Sequence, residues 1–132
     1  MTFLLDTNIV SELSMLRPNP GVIRWAANAR FHAISAVTVD EVQYGLAWKP
    51  NSRVEAFMDA YFQQHRILDV NFDIALRAGG MRGRFAQRGI VRDQPDMLIA
   101  ATAQAHGLTL VTRNSKDFKG CGISLLNPFD NP

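Results

Sequence analysis

Four carboxylates stand where they could do chemistry together: Asp6, Glu41, Asp96 and Asp117. Asp6 ends the apolar run Phe3-Leu4-Leu5 and is followed by Thr7-Asn8. A short apolar run stopped abruptly by a carboxylate reads as a buried strand with an acid at its C-terminal end, the position at which open α/β sheets bind ligands. Glu41, Asp96 and Asp117 follow in similar settings, at strand ends or in the first turns of helices. Gathered on one edge, their oxygens would form a pocket for a hard divalent cation such as Mg²⁺, and the chemistry served would be metal-assisted cleavage of a phosphodiester. Two charges about 4 Å apart repel by about 4 kcal/mol at an effective dielectric of about 20, so such a cluster calls for an added cation. His32, His65 and His106 are scattered and Cys121 is the only cysteine, which argues against zinc and excludes an internal disulfide.

Each acid also has a plainer reading. Glu41 completes Thr38-Val39-Asp40-Glu41, a match to the capping box. Asp96 complements a helix dipole, worth about 0.3–1 kcal/mol. Asp6 terminates a strand or caps a helix, and Asp117 is a solvated loop residue. Four such coincidences on one predicted edge favour the joint reading.

The elements that must position these groups alternate between strand-like and helix-like, the pattern of a parallel sheet flanked by helices. Strands are predicted over Thr2–Leu5, Phe31–Ser35, Arg66–Val70, Leu108–Val111 and Ile123–Leu126. Thr7 or Asn8 caps a helix to about Leu16. Asn19 caps a second that has Pro20 at its first position. Thr38 caps a third running to about Trp48, Ser52 a fourth, and Asp73 a fifth. The fifth carries Gly79, Gly80 and Gly83, so it is broken or has another backbone packed against it. Asp93-Gln94-Pro95-Asp96 opens the clearest helix, which ends at Gly107. Parallel strands put Asp6 and Asn114 on the same edge as Glu41 and Asp96.

The 132 residues form one domain, 47% hydrophobic and 20% charged, with a formal charge of only +2, too small to prove a polyanionic partner. Arg77, Arg82, Arg84, Arg88 and Arg92 lie in a stretch free of Asp and Glu, either a solvated helix face or a surface for phosphates. No signal peptide and no membrane span are apparent, which predicts a cytoplasmic chain. No Gly-rich phosphate loop and no Ser nucleophile motif occur. Aspartyl phosphatases need a second Asp where this chain has Asn8, and receiver domains need an acidic pair after the first strand, so both are disfavoured. Trp25 and Trp48 read as packing or interface residues.

Leu4-Leu5-Asp6-Thr7-Asn8, Thr38-Val39-Asp40-Glu41, Asp96-Met97-Leu98-Ile99-Ala100-Ala101-Thr102-Ala103 and Val111-Thr112-Arg113-Asn114 with Asp117-Phe118, in this order, resemble the PIN domain. They are similar in particular to VapC-type toxins, including the FitB-like branch, to which the closing Leu126-Asn127-Pro128-Phe129 is also similar. The resemblance spans essentially the whole chain. It implies an α/β/α sandwich around a parallel sheet of four to five strands, and an endoribonuclease dependent on Mg²⁺ or Mn²⁺ that leaves a 5′-phosphate. It implies Asp6, Glu41 and Asp96 as the firmest acids, with Asp117 or Asn114 completing the metal shell and Thr112 near it. Some relatives have Asp where this chain has Asn114, which weakens the case for a second tightly held cation. Glu41 is a ligand or orients the attacking water. Thr112 and Arg113, with Arg82, Arg84 and Arg88, are candidates for contacts to RNA. The resemblance further implies a homodimer and an antitoxin whose C-terminal segment covers the acidic pocket, with operator DNA reached only through that antitoxin. The alternative is a DNA-binding, autoregulatory component of such a complex with little nuclease activity of its own.

Overall fold

The computed structural model describes residues 2–29 and 31–130. Among these residues five strands form one sheet: β1 (Phe3–Leu5), β2 (His32–Ser35), β3 (Arg66–Leu68), β4 (Thr109–Val111) and β5 (Leu125–Leu126). Their spatial order is β3-β2-β1-β4-β5, and every pairing is parallel. Among the described residues the sheet is flanked by the helices α1 (Thr7–Leu13), α2 (Pro20–Asn28), α3 (Ala36–Trp48), α4 (Ser52–Gln64), α5 (Phe72–Gln87) and α6 (Gln94–His106). A 3₁₀ turn, Ser115–Phe118, lies between β4 and β5.

The short strands are apolar almost throughout because both sheet faces are covered. Alternation sends Leu4, Ala33 and Leu110 into one core, with Ile74, Met81 and Phe85 of α5 and Met97 of α6. Leu5, Ile34 and Val111 enter the other, with Ile9, Val22, Met58 and Tyr61. The result is the expected α/β/α sandwich. Each fully buried Leu or Ile contributes about 1.5–3 kcal/mol. The chain builds β2 and β3 on one side of β1, then returns to add β4 and β5 on the other. The order of strands therefore reverses between β1 and β4, and the crevice at their C-terminal ends is the place such sheets offer a ligand.

Several helix starts differ from expectation. Asp6 itself caps α1, accepting from the Thr7 amide at 2.8 Å, and the helix stops at Leu13. Ser35 caps α3, accepting from the Val37 amide, so Thr38 lies inside the helix and Glu41 is no capping-box partner. Asn51 and Asn71 cap α4 and α5 in place of Ser52 and Asp73. The Asn19 and Asp93 caps and the left-handed Gly107 stop are as expected. Helix α5 is continuous through its glycines, and a Cβ added at Gly79 or Gly83 would meet nothing within 4 Å. Trp25, Phe57, Tyr61 and Phe62 belong to the second core, whereas Trp48 is 74% exposed. Among the described residues, no helix is long and apolar enough to cross a membrane.

Candidate active site

The C-terminal edge of the sheet carries a cleft of about 430 Å³ lined by Asp6, Asn8, Glu41, Asp96, Arg113 and Asn114, among others. Parallel pairing explains the convergence. Asp6 leaves β1 beside Thr112, which leaves β4: the Asp6 amide donates to the Val111 carbonyl at 2.9 Å. Helices α3 and α6 start from the same edge and bring Asp96, in the first turn of α6, and Glu41 to the cleft. Glu41 stands in the second turn of α3, not the first as expected, because α3 begins at Ala36.

Asp6 is 5% exposed and held by three donors. The Thr7 amide reaches Oδ1, while Thr112 Oγ1 at 2.9 Å and Asn8 Nδ2 at 3.1 Å reach Oδ2. Burial raises its pKa nonetheless, the Thr112 and Thr7 hydrogen bonds pull against that rise, and Glu41 adds to it. Asp96 is half-buried, and its pKa is pushed up to about 7 by burial, then by repulsion from Asp93, Asp6, Asp117 and Glu41. Its amide is tied to the Asp93 carboxylate at 2.8 Å. Glu41 is exposed and steered by Thr7, whose hydroxyl donates to Oε1 at 2.6 Å and is 3.0 Å from that of Thr38.

Three of the four predicted acids, Asp6, Glu41 and Asp96, line the cleft. Asp117, on the 3₁₀ turn that packs against α6, is not among its lining residues but adds a like charge that raises the Asp96 pKa. No ion pair to these four carboxylates occurs among the described residues. The uncompensated donors are all oxygen, which suits a hard cation. As the side chains stand, no three His, Cys, Asp or Glu groups among the described residues are close enough to grip an ion unaided. Water and a substrate phosphate would have to complete the shell, as is usual for Mg²⁺.

Other candidates take different roles. Thr112 is fully buried and its hydroxyl is engaged by Asp6, so it serves that carboxylate and is not free for a substrate. The Arg113 guanidinium lies 4.6 Å from the centre of the Phe129 ring at the cleft wall. Arg82 lines a separate groove between α5 and α6, and Arg84 and Arg88 line a recess beside Cys121, so none of the three lines the cleft. Cys121 is buried, and burial raises its thiol pKa, in keeping with an inert role.

Sequence reasoning missed the second layer. The sequence suggests Thr7 as a cap, yet its hydroxyl links Glu41 to Thr38. Asn8 donates to Asp6 and accepts from the Arg113 amide at 3.2 Å, tying β1 to the loop after β4. Ser11, Glu12 and Met15 also line the cleft. Their spacing from Asn8, three, four and seven residues, was the available signal.

A PIN domain model matches residues 3–121. The chain belongs to the PIN domain family. This PIN domain is 29% identical to the VapC ribonuclease Y4jK of Sinorhizobium fredii, over 96% of this chain and 97% of the relative. It is 30% identical to the toxin FitB of Neisseria gonorrhoeae, over 96% and 97% respectively. Among solved structures, a toxin–antitoxin complex from Klebsiella pneumoniae superposes with a TM-score of 0.78 at 30% identity, covering 98% of this chain and 100% of that one.

Proposed function

We propose that this PIN domain is a metal-dependent endoribonuclease and the toxic partner of a toxin–antitoxin pair. Support comes from relatives named as a VapC ribonuclease and as a toxin, both aligned over nearly their whole length. The observation that carries the chemistry is Asp96, a half-buried carboxylate crowded by four others with no paired cation among the described residues. Asp6 and Asp96 would hold Mg²⁺ or Mn²⁺, with Glu41 beside them and Asp117 or Asn114 completing the shell. The ion, when bound, lowers the pKa of water and offsets charge gathering on the phosphate.

The chain's own groups do the rest. Asp6 is pinned by its three donors, so its free lone pairs keep one direction. Glu41, held by Thr7, orients the attacking water. Arg113, propped on Phe129, offers a guanidinium fork to an RNA phosphate. Hydrolysis joins the water oxygen to phosphorus and breaks the bond to the 3′-oxygen, leaving a 5′-phosphate.

The same cleft suits an antitoxin segment that brings an Arg to the carboxylates. Tyr44 and Trp48 of α3, 70% and 74% exposed, lie one and two turns beyond Glu41 and give an apolar partner segment a surface. A second copy of this chain is the further partner proposed.

The test is RNA cleavage by purified protein freed of any inhibitor. Cleavage is expected with Mg²⁺ or Mn²⁺ and none with EDTA, and Asp6→Asn and Asp96→Asn should be inactive while folded. Full activity in both variants would overturn the mechanism.

A further inference from the structure

Asp117 takes part in the acidic neighbourhood from a weak platform. The turn that carries it is only four residues long, and Asn114 at its start makes no side-chain cap. The backbone bond from the Lys119 amide to the Lys116 carbonyl is long, at 3.4 Å. Phe118 is 1% exposed and anchors the turn in the core, and the Asn114 amide ties its start to the Thr112 hydroxyl at 3.0 Å, which leaves the far side of the turn to be held by other contacts. What fixes the two flanks is Arg92. Its Nη1 donates to the Lys116 carbonyl and its Nη2 to the Lys119 carbonyl, each at 3.1 Å. The guanidinium carbon lies 4.6 Å from the centre of the Phe85 ring. Arg92 directly precedes Asp93, the cap of α6, so it joins the segment that carries Asp93 and Asp96 to the turn that carries Asp117.

The charge of Arg92 is not a counter-charge for the site. It forms no ion pair with a carboxylate among the described residues, and Asp96 is crowded by acids with no cation relieving it. The Nε of Arg92 is buried without a hydrogen-bond partner, an unfavourable arrangement that a purely space-filling residue would avoid. A rigid planar fork bonds two carbonyls at once with its donors already in place, whereas a lysine ammonium is a single point charge on a flexible stem.

We propose that Arg92 is a positioning residue, a clamp that fixes the Ser115–Phe118 turn, and with it Asp117, against α6. This rests on the metal-dependent reading of the cleft, and it concerns how the last carboxylate is supplied. An unclamped turn would still fold onto Phe118 but would present Asp117 over a range of positions.

The experiment compares the wild type with Arg92→Met, Arg92→Lys, Asp117→Asn and the Arg92→Met/Asp117→Asn double variant. Amide hydrogen exchange is read first, on metal-free protein. Asp117, Lys119 and Cys121 amides, which bond within or just after the turn, should exchange about tenfold faster in both Arg92 variants, with the strands unaffected. Mn²⁺ titration is read second. Affinity should fall about 10–100-fold in both, the usual effect of removing a group that orients a ligand, and the double variant should bind no more weakly than Asp117→Asn alone. RNA cleavage by the two Arg92 variants at saturating Mn²⁺ should stay within a few-fold of wild type. Unchanged exchange, full rescue by Arg92→Lys, or additive losses in the double variant would each overturn the clamp. If the wild type itself binds no Mn²⁺, the metal reading falls, and the exchange comparison alone decides whether Arg92 holds the turn.

Discussion

Thr112 Oγ1 donates to Asp6 Oδ2 at 2.9 Å across 106 positions of the chain, joining the ends of β1 and β4 where the strand order reverses. The same hydroxyl accepts from the Asn114 amide at 3.0 Å. One buried side chain therefore aims the central carboxylate and fixes the loop that follows β4. Thr112→Val keeps the shape and removes the hydroxyl. Metal affinity or RNA cleavage should fall about 10–100-fold, while Thr112→Ser retains most of both. Assays of the two variants over a range of Mn²⁺ concentrations check this, and a Val variant equal to wild type would remove Thr112 from the site.

The crowded acids predict an unusual pH response in the metal-free protein. Asp96 has a folded-state pKa of about 7, above the ordinary value of about 3.9 that it takes when unfolded. A raised carboxylate favours the folded state fully below about pH 4, and that contribution is lost as pH rises through about 7. Asp96→Asn removes the titrating group. In EDTA it should melt at a higher temperature than wild type at pH 8 and show a smaller difference at pH 4. Added Mg²⁺ should raise the melting temperature of the wild type and not of the variant. Equal melting curves for both proteins at pH 8 in EDTA would show that Asp96 carries no such strain.

Much of this site was legible because strand ends are. Leu5-Asp6 and Val111-Thr112 each pass abruptly from an apolar run to a polar residue, and parallel pairing then dictates a shared edge. Caps were harder to read. Asp6-Thr7-Asn8, Asn51-Ser52 and Asn71 with Asp73 each offer competing side chains, and the winner depends on where the preceding strand or turn lets the chain go. Ser35 takes the role given to Thr38 because β2 runs to Ser35 and α3 begins at once. Arg92 and the His32–His65 stack, with rings 4.3 Å apart, depend on contacts between distant segments. No local pattern announces them.

That stack predicts acid sensitivity of the opposite sign. His32 is buried and its Nε2 lies 2.7 Å from the Tyr61 hydroxyl. Burial first, then repulsion from His65, lowers its pKa, and burial lowers that of His65. Depressed histidines favour the folded state above the ordinary value of about 6.5, and that contribution is lost as pH falls through their lower folded values. Wild type should therefore lose stability below about pH 6, and His32→Phe should flatten this limb. Tyr61→Phe leaves the His32 nitrogen unpaired and should cost about 1–3 kcal/mol at pH 7. Urea melts at pH 5 and pH 7.5 separate the two effects, and a Tyr61→Phe variant as stable as wild type would show that the pair contributes nothing.

The glycines of α5 make the last prediction, because their expected reason for being there is absent. Gly79 and Gly83 sit inside a continuous helix, and an added Cβ would meet no atom within 4 Å at either position. Their φ angles are not positive, so no left-handed turn requires them. Gly lowers helix stability by about 0.8–1 kcal/mol against Ala at an interior position. Gly79→Ala and Gly83→Ala should each stabilise the isolated chain by roughly that amount, and together by about the sum, with RNA cleavage unchanged. Chemical denaturation checks this. A loss of stability in either variant would mean that another surface comes close to α5 in solution, since the folded chain itself leaves that space open.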